Sequence, residues 1–333
     1  MKFLSKLFLF LIPLTAALAA AQINYPTAIK NVIVVVQENR TPDNLFQDQN
    51  LINAGADIVQ SGLCGNANQP LGARTLMDCA GPGHTHQPDW INSWDGGQVP
   101  PDGAYEVNMA YNPGSCQKFT CNQNSKGKSD CTMYAYVSDS DQVIQPYWDI
   151  AEAYGFANYM FQASQGPSFP AHQFIFGGSS APGSVELGDQ YYKYFAAENP
   201  TDGAGCIANS TSTVAVVDTT GAESIQAYPC FSRPTLATLL DSNQIPWGYY
   251  SDGPTSAWNA PNAISNICPY NPGGSCSSPD WKNYVQNNIE GSLRAGNPTL
   301  APFLYDLEYC NFPSTSGGVY FVTPDARWGT TRG

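Results

Sequence analysis

Three short segments of this chain carry side chains suited to chemistry. In the first, Glu38, Asn39 and Arg40 follow directly on the apolar run Val32 to Val36. A carboxylate and an amide oxygen are hard donors of the kind a divalent cation prefers. In the second, Gly166-Pro167-Ser168-Phe169-Pro170-Ala171-His172, a serine hydroxyl stands between two prolines. Proline fixes φ and restricts the residue before it, so the Ser168 hydroxyl is held in place, as a nucleophile should be. A serine also needs a base or a metal to activate it. His172 lies only four residues on, which favours contact with an ester oxygen over the role of base. The third segment contains His84 and His86, an i, i+2 pair whose rings point to one side of an extended strand, as a metal site or an anion pocket requires. Taken singly, each segment has an ordinary structural reading: a capped strand end, a proline-rich turn and a structural loop.

The elements that must position these residues are legible from periodicity. Five β-branched apolar residues in succession, Val32 to Val36, predict a strand buried on both faces, as in a parallel sheet. Glu38 then falls at the carboxyl end of that strand, where open α/β sheets bind ligands. Apolar spacing predicts a helix over 143–156 with Gly155 as its stop, and a short strand over 156–162 leading to the serine segment. Two further helix–strand units are expected: 235–240 with 247–250, and 300–307 with 319–322. Such alternation is the α/β pattern, with a largely parallel central sheet. Residues 47–131 and 182–230 are rich in Gly, Pro, Asn, Asp, Ser and Thr and read as long insertions.

Bulk composition limits the function further. A net charge of −13, from 14 Lys and Arg against 27 Asp and Glu, excludes a nucleic-acid partner and disfavours steady adhesion to an anionic membrane. Lys2 and Lys6, the apolar stretch Leu7 to Leu18, and Ala17, Ala19 and Ala21 read as a secretory signal peptide over residues 1–21. That leaves 22–333 as one domain without a transmembrane anchor. Ten cysteines with no CxxC pair and only three histidines point to disulfides in an oxidising compartment. Local pairing is expected for Cys64 with Cys79, Cys206 with Cys230 and Cys268 with Cys276, while Cys116, Cys121, Cys131 and Cys310 stay open.

Taken together the motifs resemble those of the bacterial phosphoesterase family that contains phospholipases C and related acid phosphatases. Glu38 to Asp43 is similar to its ENRSFD motif, and His84-Thr85-His86 with Trp90, Gly96-Gly97 and Asp102-Gly103 to its HxH, W, GG and DG series. Gly166 to His172 resembles its GP(S/T)xPxH element, and Thr235 to Tyr250 its TLxDxLxxxGxxWxxY unit. The resemblance implies an alkaline-phosphatase-like α/β/α sandwich and metal-assisted attack of a serine on phosphorus. It further implies a divalent metal held by Glu38, Asn39 and Ser168, with Ser168 as nucleophile through a phosphoseryl intermediate. His86 and His172 take catalytic roles in the phosphate pocket, and His84 and Arg40 bind substrate. The family's serine-aspartate-histidine element and its later acidic pair are expected beyond Val322-Thr323-Pro324-Asp325, but the chain reads Ala326 to Gly333 there. The expectation is therefore an exported hydrolase of phosphoric esters, acting on a phospholipid or a phosphomonoester, in a domain lacking that metal-ligand segment. The alternative is an inactive homologue acting as an exported binding or structural protein. A serine esterase is disfavoured, because Pro170 replaces the second glycine of a GxSxG elbow.

Overall fold

The Val32–Val36 run does form a strand, and two further strands far along the chain complete its sheet. The computed structural model describes residues 29–38, 40–64, 67–76, 119–123, 127–131, 135–139, 142–160, 162, 164, 166–183, 194–218, 220–289, 302–312, 314 and 317–324. Its first elements are β1 (Asn31–Val35), α1 (Pro42–Leu45), α2 (Gln49–Asn53), β2 (Ser61–Cys64), β3 (Ala67–Pro70), β4 (Gly72–Arg74), β5 (Phe119–Gln123), β6 (Gly127–Cys131) and β7 (Ala135–Val137). There follow α3 (Gln145–Tyr154), α4 (Ser168–Gly177), β8 (Phe195–Ala196), β9 (Val214–Val217), β10 (Ile225–Ala227) and α5 (Leu236–Ser242). Last come β11 (Trp247–Tyr250), α6 (Pro279–Tyr284), α7 (Pro302–Glu308) and β12 (Gly318–Val322).

The central sheet is parallel and ordered β1-β12-β11, so the last strand is inserted between the first and its predecessor. Alternation along these strands divides the core. Val34, Trp247, Tyr249, Val319 and Phe321 join the large cluster that includes Phe169 and Phe176 of α4, Ala237 and Leu240 of α5 and Trp281 of α6. Ile33, Tyr250, Tyr320 and Val322 face the other way and pack with Phe303 of α7. Helices therefore cover both faces of a parallel sheet, the α/β arrangement expected from the helix–strand alternation.

Two expectations need correction. β1 is a sheet edge among the described residues, with β12 as its partner, and Val32 and Val35 are 51 % and 53 % exposed. A run of β-branched residues therefore marked the strand but not its full burial, because burial depends on neighbours the run does not encode. Residues 156–160 form no strand, and the serine segment is not a turn but the start of a ten-residue helix. The proline rule explains this: Pro167 and Pro170 sit at the N-cap and in the first turn, where a missing N–H costs no helical bond. Gly178 closes the helix in the left-handed region at φ 67°, its N–H bonded to the Phe174 carbonyl.

The other helices and strands stand close to their predicted places. α3 ends at Gly155, α5 begins after Thr235 as N-cap, and β11 occupies the predicted 247–250. The insertion over 182–230 contains a small antiparallel sheet, β10-β9-β8, and β4, in the earlier one, pairs with β7 just beyond its end. Cys206–Cys230 and Cys268–Cys276 are bonded as expected, and Cys310 is free and exposed. Cys79 and Cys116 and the side chains of Cys64, Cys121 and Cys131 lie outside the described residues, as does the predicted signal segment.

Helix α4 is anchored from below by a buried cation. Arg233 is 5 % exposed and donates to the Gln173 side-chain oxygen at 2.7 Å, the Gln173 carbonyl at 3.2 Å and the Gly177 carbonyl at 3.3 Å. Burial lowers its pKa to about 10, so it is still charged at neutral pH. A cation at the carboxyl half of a helix also complements its dipole. Arg233→Met should cost about 2–4 kcal/mol, because it leaves the buried Gln173 and Gly177 oxygens without their donor. A urea titration would read this as a lower midpoint at unchanged slope, and an unchanged midpoint would show that the anchor contributes nothing.

Candidate active site

Glu38 lies just past the carboxyl end of β1, and its two oxygens are taken by two residues of α4. Ser168 Oγ donates to Glu38 Oε2 at 2.8 Å, and His172 Nε2 meets Glu38 Oε1 at 2.8 Å. The helical period makes this possible: Ser168 and His172, four residues apart, share one face of the first turns of α4. The helical spacing thus lets both side chains reach the same carboxylate. The amino end of α4 also brings first-turn N–H groups and a positive dipole end towards the site. One of these N–H groups, that of Phe169, is satisfied by Asn199 Oδ1 at 2.9 Å. His172 is fully enclosed at 1 % exposure, whereas the Glu38 side chain is 18 % exposed, so solvent reaches the carboxylate but not the ring.

A second set of residues comes from the carboxyl ends of the other two strands. The Tyr249 hydroxyl stands 3.3 Å from His172 Nδ1, 3.0 Å from the Trp258 carbonyl and 3.5 Å from Thr323 Oγ1. Burial pushes the Tyr249 hydroxyl up to about 12, with the Thr323 contact opposing and the Glu38 and Asp252 charges adding to the rise. Burial also raises the Asp252 carboxyl above its ordinary range, against the pull of Ser256 and of His172. Asp252 Oδ1 is buried and has no hydrogen-bond partner. The rule that ligands bind beyond the carboxyl ends of parallel strands could have singled out Tyr249, Asp252 and Thr323, since each lies at or just past the end of a predicted strand.

The raised carboxyl has a consequence for stability. A carboxyl whose folded pKa exceeds its unfolded one stabilises the fold below the unfolded pKa, and that contribution is lost as pH rises through the folded pKa. Metal-free Asp252→Asn should therefore melt above the parent at neutral pH, with the gap closing as pH falls through the carboxylate range. Thermal melts in chelator at several pH values would test this, and a variant that melts lower at neutral pH would contradict it.

The remaining candidates are placed differently. Arg40 donates to the Leu76 carbonyl at 3.1 Å and lines a recess with Asn44, Arg74 and Val137. These contacts place the guanidinium beside β4 and β7, and substrate binding by Arg40 stays an expectation. Asn39, His84 and His86 lie outside the described residues.

A divalent cation can be tested against the donors present. Glu38 Oε2 and Ser168 Oγ, 2.8 Å apart, stand near the ~2.9 Å separation of neighbouring oxygens in an octahedron with bonds of about 2.0–2.1 Å. A carboxylate and a hydroxyl at ligand spacing fit such an ion as two of its donors. Among the described residues no three His, Cys, Asp or Glu side chains group as a metal site.

A family model described as the phosphoesterase family matches residues 29–325. No curated protein matches the chain.

Proposed function

Because this chain belongs to the phosphoesterase family, we propose that it is an exported hydrolase of phosphoric esters, of phospholipase C or acid phosphatase type, with Ser168 as nucleophile. The observation that carries the proposal is the Glu38 carboxylate shared between the Ser168 hydroxyl and His172. A serine bonded to a carboxylate at 2.8 Å has a proton acceptor already aligned.

In this reading Ser168 Oγ attacks phosphorus while the bond from phosphorus to the leaving oxygen breaks. Its proton passes to Glu38, the acceptor it already faces. His172 holds the other Glu38 oxygen and so fixes the plane of the carboxylate. His86 protonates the leaving oxygen, and His84 binds the phosphoryl group. Water then hydrolyses the phosphoserine, regenerating the hydroxyl. A divalent cation bound by Glu38, Asn39 and Ser168 would lower the pKa of the hydroxyl and offset charge on the phosphoryl oxygens.

The proposed product is exported, with residues 1–21 as signal and 22–333 as one hydrolase domain, and the two disulfides among the described residues suit an oxidising compartment. Among the described residues no helix is long and apolar enough to cross a membrane. Hydrolysis of p-nitrophenyl phosphate against p-nitrophenyl phosphorylcholine, with and without added divalent metal, tests the activity and separates phosphatase from phospholipase. Failure with both substrates and every metal would favour the binding-protein alternative.

A further inference from the structure

We propose that Asn199, in the insertion over 182–230, is a positioning residue for Ser168: it caps the nucleophile's helix from outside and so fixes the direction of the hydroxyl. A helix start is ordinarily satisfied by the side chain of its own N-cap, but Pro167 occupies that place on α4 and offers no acceptor. Pro170 has no N–H, and the first helical bond runs from the Ala171 N–H to the Pro167 carbonyl at 3.2 Å. Between the serine and that bond the only main-chain donor is the Phe169 N–H. Asn199 Oδ1 takes it at 2.9 Å across a separation of 30 residues. A main-chain N–H only donates, so the amide must turn its oxygen, not its nitrogen, to the helix.

The segment that carries Asn199 is itself held on both sides. Ala196 and Ala197, both buried, donate from their N–H groups to the Ser180 and Ala215 carbonyls at 2.9 and 3.0 Å. Beyond Asn199, the Thr201 N–H bonds the Thr213 carbonyl at 2.9 Å, and Thr201 Oγ1 accepts from the Thr213 N–H at 3.1 Å. The same segment meets the chain just before the serine. A Cβ added at Gly166 would stand 2.2 Å from the Ala197 carbonyl oxygen, so only a glycine fits there. Ser168 is therefore flanked, at Gly166 and at Phe169, by two contacts with one anchored segment. The Phe169 ring, buried against Phe231 at 5.6 Å, fixes the core side of the same turn. Such holding matters for rate, because a displacement of about 1 Å at a reacting group costs on the order of 10²-fold.

The cap is independent of any activity, whereas its effect on Ser168 rests on the proposed hydrolysis. Hydrogen exchange followed by nitrogen-15 NMR of phenylalanine-labelled protein reads the cap, with the Phe169 signal identified by its loss in Phe169→Leu. In the parent this N–H should exchange at least about 10-fold more slowly than an open-chain amide. Asn199→Leu keeps the size of the side chain and removes the acceptor. It should lose the protection, melt about 2–4 °C lower, and lower kcat about 10–100-fold at a KM within about twofold of the parent. Asn199→Asp keeps the acceptor and should restore both the protection and kcat. A parent Phe169 N–H that exchanges freely would overturn the inference even if Asn199→Leu fails to fold. So would a folded Asn199→Leu protein with unchanged kcat, or an Asn199→Asp protein as slow as the leucine variant. If the parent hydrolyses no phosphoric ester, exchange and its rescue still decide whether Asn199 caps the helix, and only the hydrolytic reading falls.

Discussion

Ser168→Ala should lower phosphoric ester hydrolysis by at least about 10³-fold in kcat while leaving the fold intact. The hydroxyl is the one atom of the site that can form a bond to phosphorus from a rigid helix end, and removing it leaves only binding and electrostatic contributions. The structural cost is small, because Oγ makes its bond to a partly exposed carboxylate, which water can serve in its place. Ser168→Thr keeps a hydroxyl on the same carbon and should retain activity. Acid quenching of the wild type during turnover should trap phosphate on Ser168, and this label should be absent from the alanine variant. Full activity in Ser168→Ala, or a label on another residue, would remove Ser168 from the chemistry.

Glu38→Gln should act on two observables at once. The amide has the shape of the carboxylate but no negative charge, so it no longer accepts the Ser168 proton and binds a cation weakly. We expect a loss of about 10²–10³-fold in kcat. We also expect that added divalent metal no longer raises the melting temperature, because a ligand stabilises only the state that binds it. The second readout needs no substrate. A variant that keeps the metal-dependent rise in melting temperature would place the cation elsewhere, and one that keeps its kcat would remove Glu38 as acceptor. Comparison with Ser168→Ala separates the roles, since loss of one hydroxyl weakens metal binding less than loss of a charge.

Much of this site was legible before folding. Glu38, Ser168 and His172 were marked by their types, by the strand before the first and by the prolines around the second. The strands at 247–250 and 319–322 and the helix ending at Gly155 follow from local periodicity and punctuation, which are properties of a few adjacent residues. The same local signals misled where burial or context decided the outcome. The Val32–Val36 run gave a strand at a sheet edge, and the prolines near Ser168 opened a helix instead of holding a turn. Tyr249 and Asp252 carried no motif of their own and were found only as neighbours of His172 in space.

The amino-acid sequence by itself determined the α/β class, most of the regular elements, two disulfide pairings and the residue types available for chemistry, because each depends on short-range patterns. Only the tertiary structure decided that β12 lies between β1 and β11 and that Glu38 meets Ser168 and His172 across separations of 130 and 134 residues. It also decided that Tyr249 meets His172 across 77. The physical reason is that such contacts are chosen by the packing of two helical layers on one parallel sheet. That packing brings three strand ends and one helix start together, and no local pattern encodes their distance.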